Sequence, residues 1–294
     1  MKHIKSKKEI IQYANQEFEH TYEEYNEQNQ LILSEEKSAL GELVERIHYD
    51  YNEQGLLETE SFAKESGVYQ TYHFTYDDQG HITQMVIDYD NGGKEFHKYT
   101  RTENQEELTV SDGAGNLEKR ELRLFNDHGD VISLQVFDEE NKLSAEEKYT
   151  FDDQHRVTSK TWKNDFSSGH HTHTYEIDED GDAVKHTFDA KTNELVEIET
   201  SIDKGEIKET IREVIDAYTV LKQIDKSNRT ETIEVEGLDE ELVESQHTEF
   251  DEEGNPLRVE IFDVKGLGQT HNGEKDQHMV KVYEYTFWEK QIEG

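Results

Sequence analysis

The sequence predicts an all-β protein, an elongated or curled antiparallel β-sheet of tandem β-hairpin repeats with a short N-terminal helix. Three observations lead there. A turn motif recurs at a step of 25 or 26 residues. Between the motifs, residues alternate in the manner of half-buried strands. The apolar fraction is only 32 %, yet there is a single proline, which suits a thin, ordered sheet better than a compact globule or a disordered chain.

The motif is an aromatic residue or Ile, then Asp or Asn, two or three polar residues, Gly or Asn, one further residue, and Leu, Ile or Val. Tyr76-Asp77-Asp78-Gln79-Gly80-His81-Ile82 is the clearest copy. Others begin at Tyr25, Tyr51, Phe125, Phe137, Phe151, Ile177 and Phe250, with weaker forms at Phe188 and Ile202. Asp or Asn after the aromatic bonds its own backbone and starts a turn. The Gly supplies positive φ, as in a type I turn followed by a bulge, and Asn29 and Asn141 fill that slot with the next best residue type. The aromatic and the later aliphatic, as in Tyr76/Ile82, Phe125/Val131 and Phe151/Val157, flank the loop as cross-strand pairs. Secondary anchors at Phe137, Phe188 and Phe262 follow strong anchors by 11 or 12 residues. The elementary unit is therefore one strand and one turn, and two units make a hairpin.

The flanks follow the same logic. Ala145, Glu147, Tyr149 and Phe151 alternate, as do His171, His173, Tyr175 and Ile177. Ile207, Ile211, Val214, Ile215 and Tyr218 fit helical spacing, but Ile207, Ile211 and Ile215 also fit a strand; the repeat phase and the β-branched residues favour the strand. Residues 7–20 read as a helix. The expected organisation is a helical cap over residues 1–20 and one hairpin-repeat domain over 21–294.

Charge narrows the function. Asp and Glu number 69 against 31 Lys and Arg, a net charge of −38. Direct nucleic-acid binding needs a basic face, and none is present in the sequence. Anionic membrane surfaces are disfavoured for the same reason, whereas a basic protein partner or divalent cations are attracted. There is no cysteine, so disulfides and thiolate metal sites are excluded. The basic start, Met1 to Lys8, is followed by no apolar run of signal-peptide length, which gives a cytoplasmic expectation.

The motif resembles the YD repeats of Rhs-type bacterial proteins. The residues that carry the resemblance are Tyr51 to Leu57, Tyr76 to Ile82, Phe125 to Val131 and Phe250 to Asn255, and it extends over roughly residues 18–265. In that family such repeats curl into a β-sheet shell around a toxin. Here the first residue is often Phe or Ile, the Arg common after the family's Gly is missing, and no toxin domain is evident. The resemblance therefore implies a short open or curled sheet, and small cytosolic proteins with such repeats can accompany polymorphic toxins as immunity proteins.

Candidate sites are few. Tyr69, Tyr72, Phe74 and Tyr76 cluster, and Trp162 is one of two tryptophans. Such residues anchor interfaces and stack on sugars, although they also pack between hairpins. In the segment from His170 to His173, His171 and His173 share a strand face that His186 on the next strand can approach, a setting that suits imidazole metal ligands, but a polar strand on a solvated face is the favoured reading, and no metal site or cofactor is assigned. Asp178 to Asp182 looks like the start of a calcium loop, but Gly181 sits where the hairpin turn requires it. No P-loop, HExxH or Ser-His-Asp signature is present, so no catalytic residue is assigned. The resulting expectation is a non-catalytic acidic module that engages and neutralises a basic protein such as a toxin or a nucleic-acid-binding enzyme. The alternative is a YD-repeat surface or carbohydrate-binding protein. Dense carboxylates also lead to an expectation of like-charge repulsion, relieved by salt and by acidification toward pH 5.5.

Overall fold

A computed structural model of the chain describes residues 3–13, 16–237, 242–263 and 277–288. In chain order the strands are β1 (Ile4–Tyr13), β2 (Gln16–Tyr25), β3 (Leu31–Lys37), β4 (Leu43–Tyr51), β5 (Leu57–Lys64), β6 (Gly67–Tyr76), β7 (Ile82–Tyr89) and β8 (Lys94–Thr102). They continue with β9 (Gln105–Asp112), β10 (Leu117–Phe125), β11 (Val131–Phe137), β12 (Leu143–Phe151), β13 (Val157–Lys163), β14 (Ser168–Ile177) and β15 (Ala183–Asp189). The series ends with β16 (Leu195–Asp203), β17 (Ile207–Val214), β18 (Tyr218–Asp225), β19 (Thr230–Gly237), β20 (Leu242–Phe250), β21 (Pro256–Asp263) and β22 (Gln277–Phe287). The ambiguous segment after Ile207 is thus a strand.

The turn is built as its chemistry requires. Asn52 Oδ1 accepts the N–H groups of Gln54 (2.9 Å) and Leu56 (3.0 Å), and Asp77 Oδ1 those of Gln79 and His81 (both 2.9 Å). The N–H of Gly80 closes the loop onto the Asp77 carbonyl at 3.0 Å, and Gly80 has φ 82°. The same geometry recurs from Asn26, Asp112, Asn126, Asp138, Asp152, Asp178 and Asp251. The flanking pairs Tyr76–Ile82, Phe125–Val131 and Phe151–Val157 lie opposite one another, each beside a register shift.

Two expectations are corrected. The N-terminal segment is not a helix: residues 4–13 and 16–25 are strands, and the described residues contain no helix at all. Lys, Glu and Gln favour a helix locally, but β1 satisfies its backbone groups against β2 on one side and β22 on the other. Nor is the sheet an open one, elongated or curled. All 22 strands belong to one antiparallel sheet, and its first and last strands pair from Ile4–Phe287 to Gln12–Val280. This pairing of first and last strands closes the strand order, and it removes the two edges that an open meander would leave unpaired.

The chain divides into two compact units, one comprising residues 1–46, 175–187 and 195–294, the other residues 47–174 and 188–194. In the first, the β1–β22 seam is tied by Glu9, which is buried on β1. Glu9 accepts from the Tyr283 hydroxyl at 2.8 Å and pairs with Lys281 at 3.4 Å. Burial and this carboxylate raise the Tyr283 phenol far above its usual range, and burial pushes Tyr285 up to about 12. In the second unit, antiparallel alternation sends the turns at 52–56, 77–81, 126–130 and 152–156 to one end. The turns at 90–93, 113–116, 138–142 and 164–167 go to the other. The repeat step therefore corresponds to two strands.

Little of the chain is wholly buried. Ile11, Ile87, Val110, Val184, Val259 and Val280 are the larger buried apolar residues, and no large side chain is completely enclosed among the described residues. With so few side chains enclosed, the hydrogen-bond ladder takes over much of the work of a core.

Trp162 shows how one face packs. It lies opposite Gly169, and a Cβ placed on that glycine would meet the indole at 2.1 Å. We predict that Gly169→Ala lowers stability by about 1–3 kcal/mol through this overlap. Denaturant melts with tryptophan fluorescence would show it; an unchanged midpoint would mean that the ring does not cover Gly169.

Candidate functional site

The aromatic cluster singled out in the sequence forms a packed patch on β5 and β6. Tyr72 sits 5.2 Å from Phe62 and 6.5 Å from Phe74, ring centre to ring centre, and Phe62 is 6.4 Å from Tyr69. The Tyr76 hydroxyl donates to the Leu57 carbonyl at 2.7 Å, and Gln70 donates to the Tyr72 hydroxyl at 2.9 Å. Burial raises the phenols of Tyr72 and Tyr76. Lys64 lies over the Tyr69 ring at 5.2 Å. Trp162 is elsewhere on the sheet, edge-on to His171 at 4.8 Å. These residues are half-buried and already engaged with neighbours, and Trp162 stands on β13, whereas the Tyr72 patch is carried by β5 and β6.

The histidines of β14 are separately occupied. His170 is hydrogen-bonded to Ser159 at 2.9 Å, and His171 packs on Trp162. His186 lies on β15, 3.9 Å from Glu176. Among the described residues no group of three or more acidic or histidine side chains is placed to hold a metal ion.

The turn ends are a different surface. In each motif the capping Asn or Asp is tied to the backbone, but the next position has no partner dictated by the turn. That position is an exposed acid at Glu27, Glu53, Asp78, Asp127, Glu139, Asp153, Glu179 and Glu252. In the second unit Glu53, Asp78, Asp127 and Asp153 fall at the same end of the sheet. Successive full repeats there are separated by two strand spacings, about 10 Å.

Between two of these turns lies a groove of about 790 Å³. Asn126, His128 and Asp130 line it from one turn, and Asp152, Asp153 and His155 from the next. His155 Nδ1 donates to Asp130 Oδ2 at 2.9 Å, and the His128 and His155 rings meet edge to face at 4.4 Å. Asn126 also donates to Asp130 Oδ2, at 2.9 Å. The His155 and Asn126 hydrogen bonds hold the Asp130 carboxyl below the usual carboxylate range. On the floor Ser133 is 6 % exposed, and its hydroxyl has no hydrogen-bond partner. Lys148, also in the lining, is tied to Glu146 at 2.8 Å.

Sequence reasoning did not select His128, Asp130, Ser133 or His155. A signal was present: His155 occupies the slot that Gly55, Gly80, Gly129, Gly181 and Gly254 fill in other copies, and it keeps their left-handed backbone at φ 61°. A non-glycine residue tolerates that conformation at a cost of roughly 1 kcal/mol. Departure from the repeat at a strained position marks a side chain retained for what it contacts.

No known protein family matches the chain, and no curated protein does. Solved structures do resemble it. One is a TcdB2-TccC3-Cdc42 crystal structure, at 13 % identity and a TM-score of 0.43, covering 87 % of this chain and 16 % of that one. Another is a Photorhabdus luminescens Tc holotoxin pore with a TccC3 mutation, at 11 % identity and a TM-score of 0.44, covering 85 % and 15 %. A third is a porin-like protein from Bacteroides uniformis, at 9 % identity and a TM-score of 0.29, covering 96 % and 98 %. The first two are Tc toxin components, and this chain spans about one-sixth of their length.

The turn carboxylates correct the acid-stability expectation. Asp77 is held below the usual range first by the His81 N–H, Asp152 by the Arg156 N–H, and Asp225 by the Asn228 N–H. A depressed folded pKa contributes stability that is present above the unfolded value, near 3.9, and is lost as pH falls through the folded value. Glu60, raised by burial, has the opposite sign, but it is one group against many. We therefore predict a nearly level melting temperature from pH 7 to 5.5 and a decline below about pH 4. Melts across this range check it; a steady rise on acidification to pH 4 would show that repulsion dominates.

Proposed function

We propose that this chain is a non-catalytic, acidic protein-binding module that engages and neutralises a basic protein, such as a toxin or a nucleic-acid-binding enzyme. The observation that carries this reading is the row of exposed acids at the turn tips of the second unit, Glu53, Asp78, Asp127 and Asp153, each at a position where the turn makes no demand on the side chain. A line of exposed carboxylates, two, four and two strands apart, steers a cationic partner into encounter and sets its register. The net charge of −38 extends the same attraction over the whole chain. We read the hairpins as YD-type, Rhs-like repeats on the strength of the motif, and an immunity or inhibitor role in the cytoplasm fits that reading. The packed condition of Tyr69, Tyr72, Phe74 and Tyr76 favours protein binding through the turn ends over a carbohydrate platform on that patch.

The test is affinity capture from the source cells at low salt, followed by binding measurements on the recovered partner. A basic protein is expected, released by raised salt. The combined variant Glu53→Gln, Asp78→Asn, Asp127→Asn and Asp153→Asn should bind it at least tenfold more weakly while melting at the same temperature. Equal affinity of this variant, or capture that ignores salt, would contradict the proposal.

A further inference from the structure

We propose that the groove between the turns at 126–130 and 152–156 receives an arginine side chain of the basic partner. This inference rests on the reading above and assigns a chemistry to one place on that surface. Four observations converge on the groove.

The first is charge. Asp130, Asp152 and Asp153 line it. The cations in reach of the lining are already committed, Arg156 to Asp152 at 2.7 Å and Lys148 to Glu146 at 2.8 Å, and Asp130 accepts from His155. Asp153 is exposed and has no ion pair among the described residues. An acceptor is thus left for an incoming cation.

The second is an unanswered hydroxyl. Ser133 is 6 % exposed, lines the groove and makes no hydrogen bond. A buried polar group without a partner costs free energy, and a ligand that brings a donor removes that cost. A guanidinium offers five N–H donors in a planar fork, enough to reach a carboxylate and a hydroxyl together.

The third is shape. Neighbouring repeats place the His128 and His155 imidazoles at the mouth, 4.4 Å apart and edge to face. Such flat surfaces suit a guanidinium plane better than a compact ammonium. Leu124 and Ile132 supply apolar wall for the methylene stem.

The fourth is retained strain. His155 keeps φ 61° where other copies of the turn use glycine or, at Asn29 and Asn141, asparagine, and its ring is fixed by Asp130 of the preceding repeat. Glycine at this position would relieve the backbone and lose only the imidazole.

The experiment titrates the intact chain with N-acetyl-arginine methylamide, and in parallel with the lysine and glutamine analogues, following the imidazole ring signals of His128 and His155 by NMR. We expect saturable shifts of both rings with the arginine probe, binding at least threefold weaker for the lysine probe, and no saturable shift with glutamine. Asp153→Asn and His155→Gly should each weaken the arginine probe at least fivefold. His155→Gly restores the residue that the turn prefers, so it retains the fold, and its melting temperature checks this. Absence of saturable shifts, or equal response to the glutamine probe, would overturn the proposal. A parallel measurement with a cationic protein at low salt separates the two readings. Binding of that protein without any arginine response at the histidines removes the groove and leaves the acidic surface, whereas loss of both removes the surface reading as well.

Discussion

The interstrand hydrogen-bond ladder is the interaction on which this structure depends. Few side chains are fully buried, and those that are, such as Val110, Val259 and Val280, are modest in size. Hydrophobic burial scales with area removed from water, so a sheet this exposed gains less from it than a layered globule of equal length. What remains is the pairing of each strand with its neighbours, and everything else preserves that pairing. The turn caps start each ladder in register. The bulge beside each aromatic–aliphatic pair fixes the twist. The β1–β22 seam removes the free edges.

The face carrying most aromatics also carries charge, which follows from the same constraint. In the second unit Tyr99 shares a face with Glu106, Glu121 and Arg123, and Glu106 is buried while held by Arg123 at 2.9 Å and by Arg101. Tyr149, Glu147 and Lys160 repeat the arrangement, with Lys160 3.0 Å from Glu147 and over the Tyr149 ring at 5.4 Å. Long amphipathic side chains cover their neighbours with methylene groups while their heads pair. A low apolar fraction is therefore compatible with order, because partly covered ion pairs and phenols fill positions that leucine and phenylalanine fill in a compact core.

Much of the hairpin architecture was legible because it is written locally. Tyr76, Asp77, Gly80 and Ile82 name a turn by chemistry alone, and the step between copies gives the strand length. The closure was not legible. Nothing near Ile4 or Phe287 announces that they pair across almost the whole chain, and the helix-favouring residues of β1 become a strand only through partners on both sides. The groove was half legible. His155 in a glycine slot was visible in the sequence, but its approach to Asp130 depends on the lateral stacking of repeats, and the unpartnered state of Ser133 depends on what covers it.

Amide hydrogen exchange of β1 and β22 tests the central claim most directly. If the seam closes the ladder, amides that face the opposite strand, from Lys7 to Ile11 and from Lys281 to Tyr285, will be protected as strongly as those of the internal strands β18 and β19. Rapid exchange on the facing sides of β1 and β22, with β18 and β19 still protected, would mean that the sheet is open at its chain ends and would contradict this account.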